Sequence, residues 1–155
     1  MNDQTISESG ISLFARTSAD AVHIEARLAE RACLHLVHAN LTFQDRARSI
    51  DAEAKASELT GDLQLVSLTG GALVLHVHNP AITTVQWRYA ADSIDSMSPV
   101  KGWVVLARPL HRSLREPGGA DPSGTTVLGV DKRGTTVSTV TAHATPPIVG
   151  AVSCP

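Results

Sequence analysis

Two histidines one residue apart, His76 and His78, are the side chains whose spacing comes nearest to chemistry. Residues i and i+2 of a strand project from one face, and neutral imidazoles side by side suit Zn, Fe, Cu or Ni. They stand in Gly70-Gly71-Ala72-Leu73-Val74-Leu75-His76-Val77-His78-Asn79-Pro80, a strand-like apolar run that starts on two glycines and stops at Asn-Pro. Facing a cavity, the pair would be half of a metal site. Facing solvent or a neighbouring subunit, the two are ordinary residues on the polar face of an antiparallel strand, which is the reading the isolated pair favours. His111 or His143 could complete a site only by tertiary placement.

The spacing of Gly70 ahead of His76-Val77-His78 resembles the opening of the first cupin motif. The resemblance covers about nine residues, and it implies two histidines of one barrel strand directed at a metal. Asn79-Pro80-Ala81-Ile82-Thr83 follows where that family places a glutamate, and no second motif supplies a third histidine.

Other chemistry has less footing. His35 and His38 are spaced i and i+3, which would share a helical face but not a strand face, and His23 adds to the imidazole content of the same region. Any of these would titrate near neutral pH if exposed, and several meeting across subunits would make an interface pH-sensitive. There is no GxSxG elbow, and neither cysteine has a histidine in a recognisable catalytic context. Asp92 and Asp95 could be read as paired carboxylates, but in a Ser-rich stretch they are better read as capping or turn residues. Gly118, Gly119 and Gly124 lack the Gly-Lys-Ser/Thr of a phosphate-binding loop. Arg108, His111, Arg112 and Arg115 form the one basic run, a candidate edge for an acidic partner or an adjacent subunit. Trp87 and Tyr89 share a side of their segment with Val85; they are core residues or, if exposed, interface anchors. No catalytic residue and no cofactor is expected.

The elements that must position these residues are mostly strands. Residues 21–28 fit two periods: Val22, Ile24, Ala26 and Leu28 alternate with polar residues, while Val22, Ala26, Ala29, Cys33 and Leu36 make a helical stripe. The cleaner alternation favours strand, and 34–43 continues in the same style. Residues 49–59 carry the best helix signals of the chain: Ser49 as a cap, Asp51 and Glu53 in the first turn, Gly61 beyond the end. From there the chain reads as short Val-, Leu- and Thr-rich strands at 62–68, 72–78, 82–89, 102–107, 125–130 and 135–142. Asp131 and Gly134 mark a hairpin between the last two, and 91–99 is expected to hold a turn of helix. Residues 115–124 read as an exposed Pro/Gly loop and residues 1–17 as an N-terminal arm. The fold expected is one mainly β domain over 1–155, an antiparallel β-sandwich or jelly-roll-like arrangement with one or two short helices in the N-terminal third.

Composition bounds the function. With 155 residues, 43% hydrophobic and 18% charged, the chain can bury a core, but aromatic residues are only 3%, so that core must be aliphatic. Few aromatics also argue against a stacking platform for single-stranded nucleic acid. A formal charge of −2 argues against direct nucleic-acid binding. No run is long enough to span a bilayer and no secretory leader is recognisable, so synthesis in the cytosol is expected. Cys33 and Cys154 are accordingly expected as free thiols, although a disulfide closing so long a loop would stabilise by ~4 to 5 kcal/mol in the chain-entropy model. These features favour a non-enzymatic structural subunit that self-associates, as a viral or phage coat, decoration or tail protein. The competing readings are a cupin-like metal enzyme or small-molecule binder using His76 and His78, and a monomeric β-sandwich interaction module.

Overall fold

A computed structural model describes residues 4–8, 11–31, 33–69, 71–90, 92–109 and 125–143. The chain is mainly β, with antiparallel pairing throughout. The first sheet is a meander of five strands in chain order: β1 (Gln4–Glu8), β2 (Ile11–Thr17), β3 (His23–Arg31), β4 (Leu34–Phe43) and β5 (Arg46–Lys55). The second has β10 (Trp103–Ala107), β7 (Ala72–Val77) and β6 (Leu63–Thr69) side by side. In the third, β12 (Thr136–Thr141), β11 (Thr126–Val130), β8 (Thr84–Ala90) and β9 (Ser93–Met97) follow in that order.

The first sheet forms because its strands alternate. Even-numbered residues of β3 and β5 and odd-numbered residues of β4 face the core, so cross-strand rows such as Phe14–Ala26–Ala39–Ile50 and Leu28–Val37–Ala52 are buried together. Pairs of this kind are the unit of sheet stability. The opposite face is polar, with His38 Nδ1 2.6 Å from Asp51 Oδ1 and Ser49 Oγ donating to Asn40 Oδ1 at 2.5 Å.

Three expectations are corrected here. No α-helix occurs among the described residues; the only helical piece is a 3-10 turn at Ala56–Glu58. The segment with the best helix signals, 49–59, is instead mostly β5. Its Ala, Glu and Lys favour helix locally, but as a strand it pairs with β4 over its whole length and buries Ile50 and Ala52, which outweighs a propensity of a few tenths of a kcal/mol per residue. Likewise 91–99 contains β9 rather than a helical turn, with Asp95 and Met97 buried and Ile94 exposed on the other face. Residues of the segment read as an N-terminal arm supply β1 and β2.

The hairpin at Asp131 forms as its residues require. Asp131 Oδ1 accepts from the backbone N–H of Arg133 and Thr135, Gly134 N–H bonds the Asp131 carbonyl, and Gly134 takes φ +81°. The second sheet is different in kind. Every residue of β10 is buried, as are all of β7 but His76, so these two strands are covered on both faces. That is why their sequences read as continuous apolar runs rather than alternations. Burial of each such Leu contributes about 1.5 to 3 kcal/mol, and Leu73, Leu75 and Leu106 are completely enclosed. Among the described residues no helix is long and apolar enough to cross a membrane.

Candidate functional site

The chemistry-bearing side chains collect where the first sheet meets the second. His76 lies opposite Trp103 on β10 and Gln64 on β6, so the three share a face. His35 lies on the core-directed face of β4, between Glu30 of β3 and Ala54 of β5. The two faces meet. The His35 and His76 rings are 6.2 Å apart at 74°, the His76 and Trp103 rings 4.9 Å apart at 72°, and His35 stands 6.0 Å from Trp103. Edge-to-face contacts of this geometry contribute about 0.5 to 1.5 kcal/mol beyond the area they bury.

A tight turn presents Trp103 to this cluster. Val100 and Trp103 exchange both backbone hydrogen bonds at 2.9 Å, and Lys101 and Gly102 between them take φ +51° and +83°, the signature of a two-residue type I′ turn. Gly102 is required for a second reason. A Cβ there would lie 3.0 Å from the Val77 carbonyl oxygen and 3.1 Å from His76 Nε2. The glycine therefore lets the turn close over the His76 ring.

Neither His35 Nδ1 nor His76 Nδ1 has a hydrogen-bond partner, and both atoms are buried. The Glu30 carboxylate approaches His35 Nδ1 only to 3.8 Å, beyond hydrogen-bonding distance. Burial first, and then the imidazoles of His35 and His78, hold the His76 pKa below the ordinary histidine value. His76 is thus an imidazole kept neutral beside a second imidazole, in a setting with no carboxylate at hydrogen-bonding distance.

His78 does not join it. β7 ends at Val77, and His78 is exposed just past it, where its backbone N–H bonds the Asp62 carbonyl. Among the described residues no three His, Cys, Asp or Glu side chains are placed to hold a metal ion. His143 is exposed with Nδ1 3.3 Å from the Thr141 carbonyl, and His111 lies outside the described residues. His35 and His38 part company because they sit on a strand: His35 turns inward and His38 outward to Asp51.

The other candidates fall in separate places. Trp87 is fully buried, its indole N–H donating to Thr125 Oγ1 at 2.8 Å and its ring 5.3 Å from that of Tyr89, so it is a core residue. Tyr89 is partly buried, with its hydroxyl enclosed. Arg108 is buried as well, and its backbone N–H bonds the Gly71 carbonyl. Arg112, Arg115 and the 115–124 loop lie outside the described residues. Cys33, expected as a free thiol, is disulfide-bonded; the chain's other cysteine, Cys154, is outside the described residues. Nothing in a spacing of this length announces whether two cysteines meet, because that depends on the fold between them.

Sequence reasoning missed a polar pair that the fold encloses completely. Arg16 on β2 and Asp95 on β9 form a fully buried two-pronged ion pair at 2.9 and 2.6 Å. Arg16 also donates to the Val105 carbonyl at 2.8 Å, and Asp95 accepts the Ala107 N–H at 2.8 Å. Met97 Sδ accepts the Val105 N–H at 3.3 Å. These bonds satisfy the backbone of β10 on the side away from β7, where no strand pairs with it. One ion pair therefore joins all three sheets. Asp95 reads as a turn residue only while its segment is taken for a turn; Phe14 and Arg16 alternating in β2 was the one available signal. Comparison with known protein families, with curated proteins and with solved structures found no match to this chain.

Proposed function

We propose that the chain is a non-enzymatic structural subunit that self-assembles in a virus or phage particle, as a coat, decoration or tail protein. The observation that carries the reading is strand β12. Among the described residues it borders the third sheet, pairs along one side only, with β11, and runs Thr-Val-Ser-Thr-Val-Thr without a charge or proline. Chains that must stay monomeric protect such edges with lysine, proline or a covering element; β12 carries neither lysine nor proline, a register shift lies near Val130, and although β6 approaches it from the second sheet, four of its six residues are exposed. β12 is accordingly assigned to pairing with a second copy, and the layered sheets to a β-sandwich or jelly-roll-like subunit. The Cys33 disulfide supports the particle reading, since such bonds persist on virion surfaces and in other oxidising settings. The net charge supports assembly without direct contact to nucleic acid.

Mass photometry and negative-stain electron microscopy of the full-length protein test this. Oligomers or closed shells and tubes are expected, and Thr139→Lys, which puts a charge on the exposed side of β12, is expected to shift the distribution to monomer. A monodisperse monomer at high protein concentration would remove the proposal.

A further inference from the structure

We propose that His35 and His76 form an acid-sensitive latch between the first and second sheets, closed while His76 is neutral and released locally when it takes up a proton. The geometry makes the pair suited to this. Two imidazoles from different sheets face each other 6.2 Å apart, each with a buried Nδ1 that has no partner, and Trp103 is in contact with both. A second proton on His76 would therefore place a cation at an aromatic junction with no acceptor at hydrogen-bonding distance of its Nδ1.

The surroundings reinforce this. On β3, Glu30 lies 3.8 Å from His35 Nδ1; on β5, Ala54 is uncharged and lies opposite His35. On β6 and β10 the neighbours of His76 are Gln64 and Trp103, both uncharged, and beyond the end of β7 stands the imidazole of His78. The Glu30 carboxylate stands on the His35 side, and at that separation it does not hydrogen-bond the ring.

The direction of the pH effect follows from linkage. The folded-state pKa of His76 is lowered, so an opened or unfolded chain binds more protons than the closed one between that value and the ordinary histidine pKa of about 6.5. The stability contributed by neutral His76 is fully present above about pH 6.5, is lost as pH falls through that value towards the folded-state pKa, and does not change further below it. Each proton taken up only on opening lowers the closing equilibrium by at most about tenfold per pH unit within that window.

The test is urea unfolding of the full-length protein between about pH 8 and about pH 5, together with hydrogen exchange corrected for its intrinsic pH dependence. The wild type is expected to lose stability across this range. Its exchange should accelerate in peptides covering 34–43 and 72–78 before it does in 126–141. His76→Phe keeps an aromatic ring against Trp103 but cannot titrate, and should flatten most of the loss. His76→Gln serves the same purpose if the phenylalanine overfills the junction, and His143→Gln should leave the loss unchanged. A wild type insensitive to pH, a His76→Phe or His76→Gln protein that falls as steeply as the wild type, or equal acceleration of 126–141 would each overturn the latch.

Discussion

Neutralising one half of the Arg16–Asp95 pair should be the most damaging conservative substitution in this chain. Asp95→Asn keeps the side chain's shape and can set its amide oxygen where Asp95 Oδ2 accepts the Ala107 N–H, but this turns the amide NH2 towards Arg16 Nη1, so the loss falls on the charge and one hydrogen bond opposite Arg16. Both side chains are almost wholly excluded from water, at 0% and 1% exposure, so the guanidinium left behind cannot be rehydrated without opening the junction of the three sheets. Breaking a buried pair from one side costs about 3 to 5 kcal/mol. That is a large share of the about 5 to 15 kcal/mol that holds an ordinary domain together. For a chain of this size it corresponds to a fall in Tm of about 6 to 20 °C. Arg16→Gln should cost a similar amount, because Asp95 is then the stranded charge. The double variant Arg16→Gln/Asp95→Asn retains a donor near Val105 and an acceptor near Ala107, and should be less destabilised than the sum of the singles by at least about 1 kcal/mol. Urea unfolding followed by tryptophan fluorescence, with thermal melts in parallel, measures all three. A loss below about 1 kcal/mol for Asp95→Asn, or strict additivity in the double variant, would refute the claim that this pair ties the sheets together.

Smaller perturbations test the rest of the structure. Gly102→Ala forces a side chain into a left-handed turn position against the Val77 carbonyl and His76, and should cost about 1 to 3 kcal/mol in urea unfolding; unchanged stability would mean the turn is not as described. Peptide mapping without reductant should recover Cys33 in a disulfide-linked peptide, and reduction should lower the free energy of unfolding, by up to about 4 to 5 kcal/mol if a loop of about 120 residues is closed. Quantitative alkylation of Cys33 in the native, unreduced protein would contradict this. Trp87→Phe removes the donor to Thr125 and leaves a void beside Tyr89, with an expected loss of about 1 to 3 kcal/mol and no effect on oligomer size. A change in oligomer size without loss of stability would place Trp87 at an interface instead.

Much of the architecture was legible residue by residue. The alternation of Val22, Ile24, Ala26 and Leu28 identified β3, the Val- and Leu-rich runs identified β7 and β10, and Asp131 with Gly134 marked the last hairpin. Local chemistry misled at 49–59, where Ser49, Asp51 and Glu53 mimic a helix start. Those residues in fact form the outward row of β5, and only pairing with β4 makes that conformation the better one. The same holds for 91–99, whose serines and aspartates suggest a turn until burial of Asp95 and Met97 makes it a strand.

The candidate site divides the same way. His76 and His78 stood out by their spacing, and a period of two correctly places them on one side of an ideal strand. The strand stops between them, so one faces Trp103 and the other faces water. That His35 would meet His76, that Arg16 would meet Asp95, and that Cys33 would be oxidised were decided by tertiary structure alone. Period and turn chemistry act over a few residues and are written in order along the chain, whereas a contact between sheets depends on how every intervening hairpin is registered and layered. Composition and local pattern were enough to dictate a mainly β chain with an aliphatic core and little net charge. The packing of three sheets determined which few of its polar side chains would be enclosed, and with which partner.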